Sequence, residues 1–333
     1  MNSRELVKKT LKFERPARVP RQLWLLPWAN QTFPREVARL QREFPDDIIW
    51  TPVSLKQPPK TLGDPYMPGI YRDEWGCVFE NKQRGIIGEV KEPLVVSWSE
   101  LDKVKAPEEL LSVDIAEVNT FCKSTDLFVL AGGGLRLFER LQFIRRTDNL
   151  FMDIAEESKG LYALIDRVHQ FNIRQLELWM KTDVDGAMFS DDWGSQKSLL
   201  IAPDTWRRLF KPLYKEYIDI VHRHGKYMFM HSDGYIKDIL PDLIEMGLDA
   251  INCQIFCMDV ADIGRKFKGK ITFWGEIDRQ HILPNATSDE VGRAVQLVKS
   301  SLYHNGGAIA QCEFGPGAKP ENVYKVFETW NKS

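Results

Sequence analysis

Residues able to bind a metal or move a proton recur at one kind of place in this chain, directly after short apolar runs. Asp191 and Asp192 follow DGAMFS (Asp185–Ser190), and His231 and Asp233 follow KYMFM (Lys226–Met230). Gln254 follows AINC, Glu276 and Asp278 follow ITFW, and Cys312 and Glu313 follow AIAQ. A polar loop residue is ordinary; the repetition is what describes a site. His231, Asp233 and Cys312 together offer an imidazole, a carboxylate and a thiolate, a zinc donor set with a fourth position left for a reactant. Glu276 or Gln254 would serve as an extra ligand or as a partner behind the ligands. Plainer readings stand beside these. A single buried Cys is a small hydrophobe, and Asp233 could cap a helix beginning near Tyr235. Asp191 and Asp192 form a carboxylate pair that could divide acid and base work, or bond to a neighbouring helix end. Trp193 and Gly194 complete a compact aromatic loop there, which favours the functional reading. Trp24, Trp28, Trp75 and Trp193 are pocket candidates, with core packing as the alternative.

Five such runs alternate with helical stretches from about Leu127 onward. Strands of about five residues between helices of ten or more indicate βαβ units and a parallel sheet. The helices expected include Ser158–Met180, Asp204–Gly225, Tyr235–Met246 and Asp289–Tyr303. No GxGxxG opens a helix and no GxxxxGK[ST] occurs, so nucleotide-binding readings lose support. Gly132–Gly134 after LFVLA is a tight turn or an anion cradle. The expected fold is α/β, a (β/α)8 TIM barrel with its site at the C-terminal ends of the strands. An open doubly wound sheet is the second choice. Residues 52–98 read as an N-terminal irregular and hairpin excursion laid over the barrel, with a polar turn at Asn81–Arg84.

The 333 residues read as one barrel domain, since α/β barrels of this length are often single units. A net charge of −2 excludes a generally basic nucleic-acid binder. No run approaches a membrane span, and the charged segment MNSRELVKKTLKFERP lacks the apolar core of a secretory signal. Five cysteines, an odd number without secretory context, point to free thiols or ligands in a reducing cytoplasm.

Taken together, RVPRQLWLLPW (Arg18–Trp28), DEWGCVFE (Asp73–Glu80), the run from Phe189 to Gly234, and the INCQ, WGEID and AQCEFGPGAKPENV segments resemble the uroporphyrinogen decarboxylase superfamily. The resemblance implies a (β/α)8 barrel and one of two chemistries. One arm of that superfamily decarboxylates haem precursors without metal or cofactor. The other transfers methyl groups with a zinc held by a His-x-Cys pair and a later Cys. The decarboxylase motif Arg-Gln-Ala-Gly-Arg reads Arg21-Gln22-Leu23-Trp24-Leu25 here, without its second Arg. His231 matches the zinc-binding His and Cys312 the later Cys, while Asp233 replaces the middle Cys. That set is harder and leaves more positive charge on the metal.

The resemblance therefore implies a zinc-dependent methyltransferase moving a methyl group between a corrinoid on a partner protein and a small acceptor. His231, Asp233 and Cys312 would be its metal ligands, and Asp191, Asp192 and Glu276 its catalytic groups. Arg21, Trp24, Trp193 and Gln254 would bind substrate. One alternative is a metal-free decarboxylase of tetrapyrrole metabolism, anchored by Arg21 and Asp192. Another is a non-catalytic barrel that binds a tetrapyrrole or corrinoid. Oligomeric state is left open.

Overall fold

The computed structural model describes residues 1–332. Its strands, in chain order, are β1 (Arg21–Leu25), β2 (Ile48–Trp50), β3 (Gly69–Arg72), β4 (Val78–Asn81), β5 (Glu89–Val90), β6 (Phe128–Leu130), β7 (Gly186–Ser190), β8 (Tyr227–Ser232), β9 (Ala250–Cys253), β10 (Thr272–Trp274) and β11 (Ala308–Phe314). Eight of them form one parallel sheet in the order β1-β11-β10-β9-β8-β7-β6-β2, with helices between. The two end strands meet without a full ladder. The Asp47 N–H donates to the Arg21 carbonyl, Leu23 N–H to Asp46, and the Gln22 amide to the Ile48 carbonyl. The sheet is thus a nearly closed barrel.

Period-two alternation sorts the strand residues into two apolar bodies. Ile48, Phe128, Leu130, Phe229, Ala250, Trp274 and Ile309 pack together inside the barrel, with Trp24, Trp50, Met188 and Tyr227 against them. Val7 and Leu11 of the N-terminal helix Ser3–Leu11 join this inner body and close one end. The alternate residues, such as Leu23, Met228, Met230, Ile251, Cys253, Phe273, Ala310 and Cys312, pack outward against the helices.

The excursion makes a second, antiparallel sheet, β3-β4-β5. Two hairpins build it, where the sequence suggested one. The added turn is DEWG, where Asp73 accepts the Trp75 and Cys77 N–H groups. The other Asp73 oxygen and Glu74 bind the buried Arg140, which fastens the sheet to the helix Phe138–Arg145. Two expected helices are shorter. Asp204–Gly225 divides into Pro203–Leu209 and Lys211–Arg223, and Tyr235–Met246 shrinks to Leu240–Met246. Pro212 and Pro241 sit in first turns, where a missing N–H costs nothing, so each marks a helix start.

Candidate functional site

Each residue of the site inherits its direction from strand alternation. On β8, Tyr227 and Phe229 face the barrel interior, so His231 does as well, at the C-terminal mouth. Asn252 lies beside it in register on β9. The Asn252 side-chain N–H donates to the Trp274 carbonyl, which can only accept. That fixes the amide and turns its oxygen toward His231 Nδ1, 2.6 Å away. Nδ1 therefore carries a hydrogen, and in the neutral ring Nε2 presents its lone pair to the mouth.

Two carboxylates face that lone pair. Nε2 is 3.6 Å from Asp192 Oδ1 and 3.6 Å from Asp233 Oδ1. These are not hydrogen-bond distances. They suit ligands around one ion, because metal bonds of about 2.0–2.2 Å put ligand atoms roughly 3.2–3.5 Å apart. Asp233 Oδ1 is buried and has no hydrogen-bond partner, which is costly for a carboxylate oxygen unless something is bound there. Asp192 Oδ1 accepts the Asp233 N–H at 2.8 Å, which holds the two acids together. Among the described residues, Asp192, His231 and Asp233 are the group of His, Cys, Asp and Glu side chains whose ligand atoms converge enough to hold a metal.

The charge around them is lopsided. Arg279 binds Asp233 Oδ2 with one nitrogen and Glu313 Oε1 with another, the latter at 2.9 Å. Asp233 and Glu313 thus share a single guanidinium, and Asp192 beside Asp233 adds a further negative charge, an excess that a divalent cation would offset. Below them Trp24, Trp50 and Trp274 form an aromatic floor, and the Trp24 ring centre lies 5.3 Å from that of His231. Beside them a cavity of about 250 Å³ is lined by Gln196, Gln254, Cys257, Glu276 and Gln280, among others. The Gln196 amide donates to Gln254 Oε1 at 2.8 Å.

Glu276 is buried, and burial pushes its carboxyl up to about 8; Arg279 opposes this while Asp233, Glu313 and Asp278 add to it. Between roughly pH 4 and the Glu276 value, the unfolded chain loses this proton while the folded chain keeps it, so stability falls as pH rises. Glu276→Gln is expected to flatten that slope and to be the more stable protein at about pH 8, by on the order of 3 kcal/mol. Urea midpoints measured at mildly acidic and mildly alkaline pH check this. Parallel pH curves for the two proteins would contradict it.

Four sequence-based assignments move. Arg21 points outward from β1, to the Pro45 carbonyl and Asn331, because its strand neighbour Gln22 faces inward. It cannot anchor a substrate at the mouth. Asp191 is fully buried and accepts the Leu137 and Glu139 N–H groups and the Tyr214 hydroxyl. It caps the helix Phe138–Arg145 and does not face the mouth. Trp193 is fully buried, with its ring stacked 3.9 Å from Phe138 and its indole N–H on the Tyr214 hydroxyl, so it lines no pocket. Cys312 faces the helices with Ala308, Ala310 and Phe314, and Asp192 stands in the metal group in its place. The capping role for Asp233 also falls, since no helix begins before Leu240. Trp24, Asp192, His231, Asp233, Gln254 and Glu276 lie at or beside the mouth.

Sequence reasoning missed Asn252, Arg279 and Gln311, and it noted Glu313 without giving it a role. Gln311 is buried, with neither side-chain polar atom partnered. The signal for it was present in AIAQCEF: Ala308, Ala310, Cys312 and Phe314 make an unbroken apolar face, which leaves Gln311 and Glu313 on the other. Glu139 was missed too. Burial pushes its carboxyl up to about 8, Arg136 opposing and Asp192 and Asp191 reinforcing, which places it beside the acid pair.

The uroporphyrinogen decarboxylase (URO-D) family model matches residues 73–333. A solved methyltransferase from Methanosarcina mazei aligns over 100% of this chain and 99% of its own, with a TM-score of 0.65 and 13% identity. The E. coli 3-keto-D-glucoside 4-epimerase YcjR aligns over 71% of this chain and 94% of its own, with a TM-score of 0.41 and 14% identity. No curated protein sequence matches. Among the described residues no helix is long and apolar enough to cross a membrane.

Proposed function

The chain belongs to the uroporphyrinogen decarboxylase family, and from that premise we propose that it is a metal-dependent methyltransferase whose ion is held by Asp192, His231 and Asp233. The observation that carries this reading is His231 Nε2, oriented by Asn252 toward two carboxylate oxygens, one of them buried and unpartnered. Zinc is the proposed metal and fits an imidazole with two carboxylates. A methyltransferase as a solved structural relative supports the choice of chemistry.

A zinc held by Asp192, His231 and Asp233, with no sulfur ligand, would supply strong Lewis acidity and would favour the deprotonated form of an acceptor thiol or hydroxyl. The chain's own residues do the rest. Asn252 fixes the His231 tautomer, and Arg279 occupies Asp233 Oδ2, leaving Oδ1 for the ion. The tryptophan floor excludes water from below. Glu276 holds a proton near neutral pH beside a cavity large enough for a small acceptor, and the Gln196–Gln254 pair orients that acceptor's polar groups. The methyl donor is a corrinoid carried by a partner protein, and the free thiols fit a reducing cytoplasm.

The decarboxylase alternative calls for several fixed cations to grip carboxylates. Arg21 points away from the mouth, and Arg279 is already engaged by Asp233 and Glu313. The test is elemental analysis of zinc-supplied protein, followed by an assay of methyl transfer from methylcobalamin to a small thiol. We expect about one zinc per chain and transfer that stops when a chelator removes it. Protein that takes up no metal, or transfer indifferent to the chelator, would refute the proposal.

A further inference from the structure

A second recess lies at the glycine loop after β6, outside the metal group. Its volume is about 220 Å³, and its walls include Gly132–Gly134, Arg136, Arg140, Gln175 and Trp179. Trp179 is 2% exposed, and its indole N–H has no acceptor. An orphaned buried donor is rare in a folded protein and asks for an explanation. Gly133 shows where this donor points. A Cβ built there would lie 4.0 Å from Trp179 Nε1 and 3.6 Å from Gln175 Nε2, so both nitrogens converge on the space a side chain would fill. Gly133 has a φ of +89°, and the Gly132 N–H is tied to Thr51 Oγ1, so the loop holds that space open.

The recess is rich in donors. Two guanidinium groups line it besides the indole and the amide. Arg140 is occupied by Asp73 and Glu74, and Glu74 itself lines the recess. Arg136 is half-exposed and keeps donors beyond the one on Glu139. The helix that follows contributes nothing, because Asp191 already caps it. Most of the remaining wall is apolar, with Leu55, Trp75 and Phe171, and the Asn172 amide there already donates to the Arg136 carbonyl and the Tyr217 hydroxyl. We propose that this recess is a second ligand site, one that takes a small carboxylate with an apolar body. The carboxylate accepts from Trp179 Nε1, Gln175 Nε2 and Arg136, and the body packs on Trp75 and Phe171. The site stands on geometry separate from the metal group and does not depend on methyl transfer.

Benzoate is the probe, with benzamide as its neutral counterpart and inorganic phosphate as a competing anion. Indole N–H signals of ¹⁵N-tryptophan-labelled protein are followed during titration, and Trp179→Phe assigns the relevant signal. Phenylalanine keeps an aromatic ring, removes a donor that has no partner and leaves only a small void, so this variant should fold. Benzoate is expected to shift the Trp179 signal and to bind about tenfold more tightly than benzamide. Trp179→Phe and Arg136→Gln should each weaken it by about tenfold, read by calorimetry. An unmoved Trp179 signal, equal affinity for benzoate and benzamide, or unchanged binding in both variants would overturn the proposal. Phosphate binding more tightly than benzoate at the same signal would overturn the carboxylate assignment.

Discussion

Replacing His231 by alanine is expected to weaken zinc binding by roughly a hundredfold or more, whereas Cys312→Ser leaves it unchanged. The contrast follows from the two faces of the barrel strands. His231 is on the barrel-facing side of β8, and its Nε2 lies 3.6 Å from an oxygen of each of Asp192 and Asp233. Without the ring, the two carboxylates lose the neutral donor that completes the set. Asp233→Asn should act almost as strongly, since it removes charge from the buried unpartnered oxygen and from the Arg279 pair together. Asn252→Ala leaves all three ligands in place and frees the ring to rotate or change tautomer, so a loss of about 10–100-fold is expected. Cys312 carries its thiol among Ala308, Ala310 and Phe314, on the far side of its strand from the mouth. Competition with a chromogenic chelator reads these four affinities, and that of Asp192→Asn, on folded protein. If Cys312→Ser lost the metal and Asp192→Asn kept it, the ligand set would be His231, Asp233 and Cys312, and the assignment made from Asp192 would fail.

The barrel was legible because its signals are periodic. Apolar strands between amphipathic helices leave little choice of fold, and the polar residues that follow the strands gather at one end of it. Which individual residues face the mouth depends on strand phase, which the residue types alone do not carry. Arg21 and Trp24 are three apart on β1, so they cannot both face the interior, and the tryptophan takes that side. Asp191 and Asp192 are adjacent and part in the same way, one to the helix layer and one to the mouth. Cys312 was favoured for its chemistry over the phase of AIAQCEF, which put Gln311 and Glu313 inside. Other features were out of reach of local pattern. The Arg279 contacts with Asp233 and Glu313 span 46 and 34 residues, and no spacing rule announces such a pair. The orientation of His231 depends on an amide from the next strand and a carbonyl from the strand after that.

The adjacent acids should separate cleanly by experiment. Asp191→Ala is expected to destabilise the fold by about 3–5 kcal/mol, since it strands three buried donors at roughly 1–3 kcal/mol each, part of which relaxation recovers. Those donors are the Leu137 N–H at 3.0 Å, the Glu139 N–H at 2.8 Å and the Tyr214 hydroxyl at 2.7 Å. The loss would spread. Tyr214 also receives the Trp193 indole N–H, and Trp193 stacks on Phe138 at the start of the helix that Asp191 caps. The same helix carries Arg140, the anchor of the excursion sheet. Asp192→Ala removes a half-exposed carboxylate with one backbone contact, so it should cost little stability and most of the metal affinity. Urea unfolding and zinc competition on both variants give the comparison. A stable Asp191→Ala protein that has lost only activity would return Asp191 to the catalytic role that its position beside Asp192 first suggested.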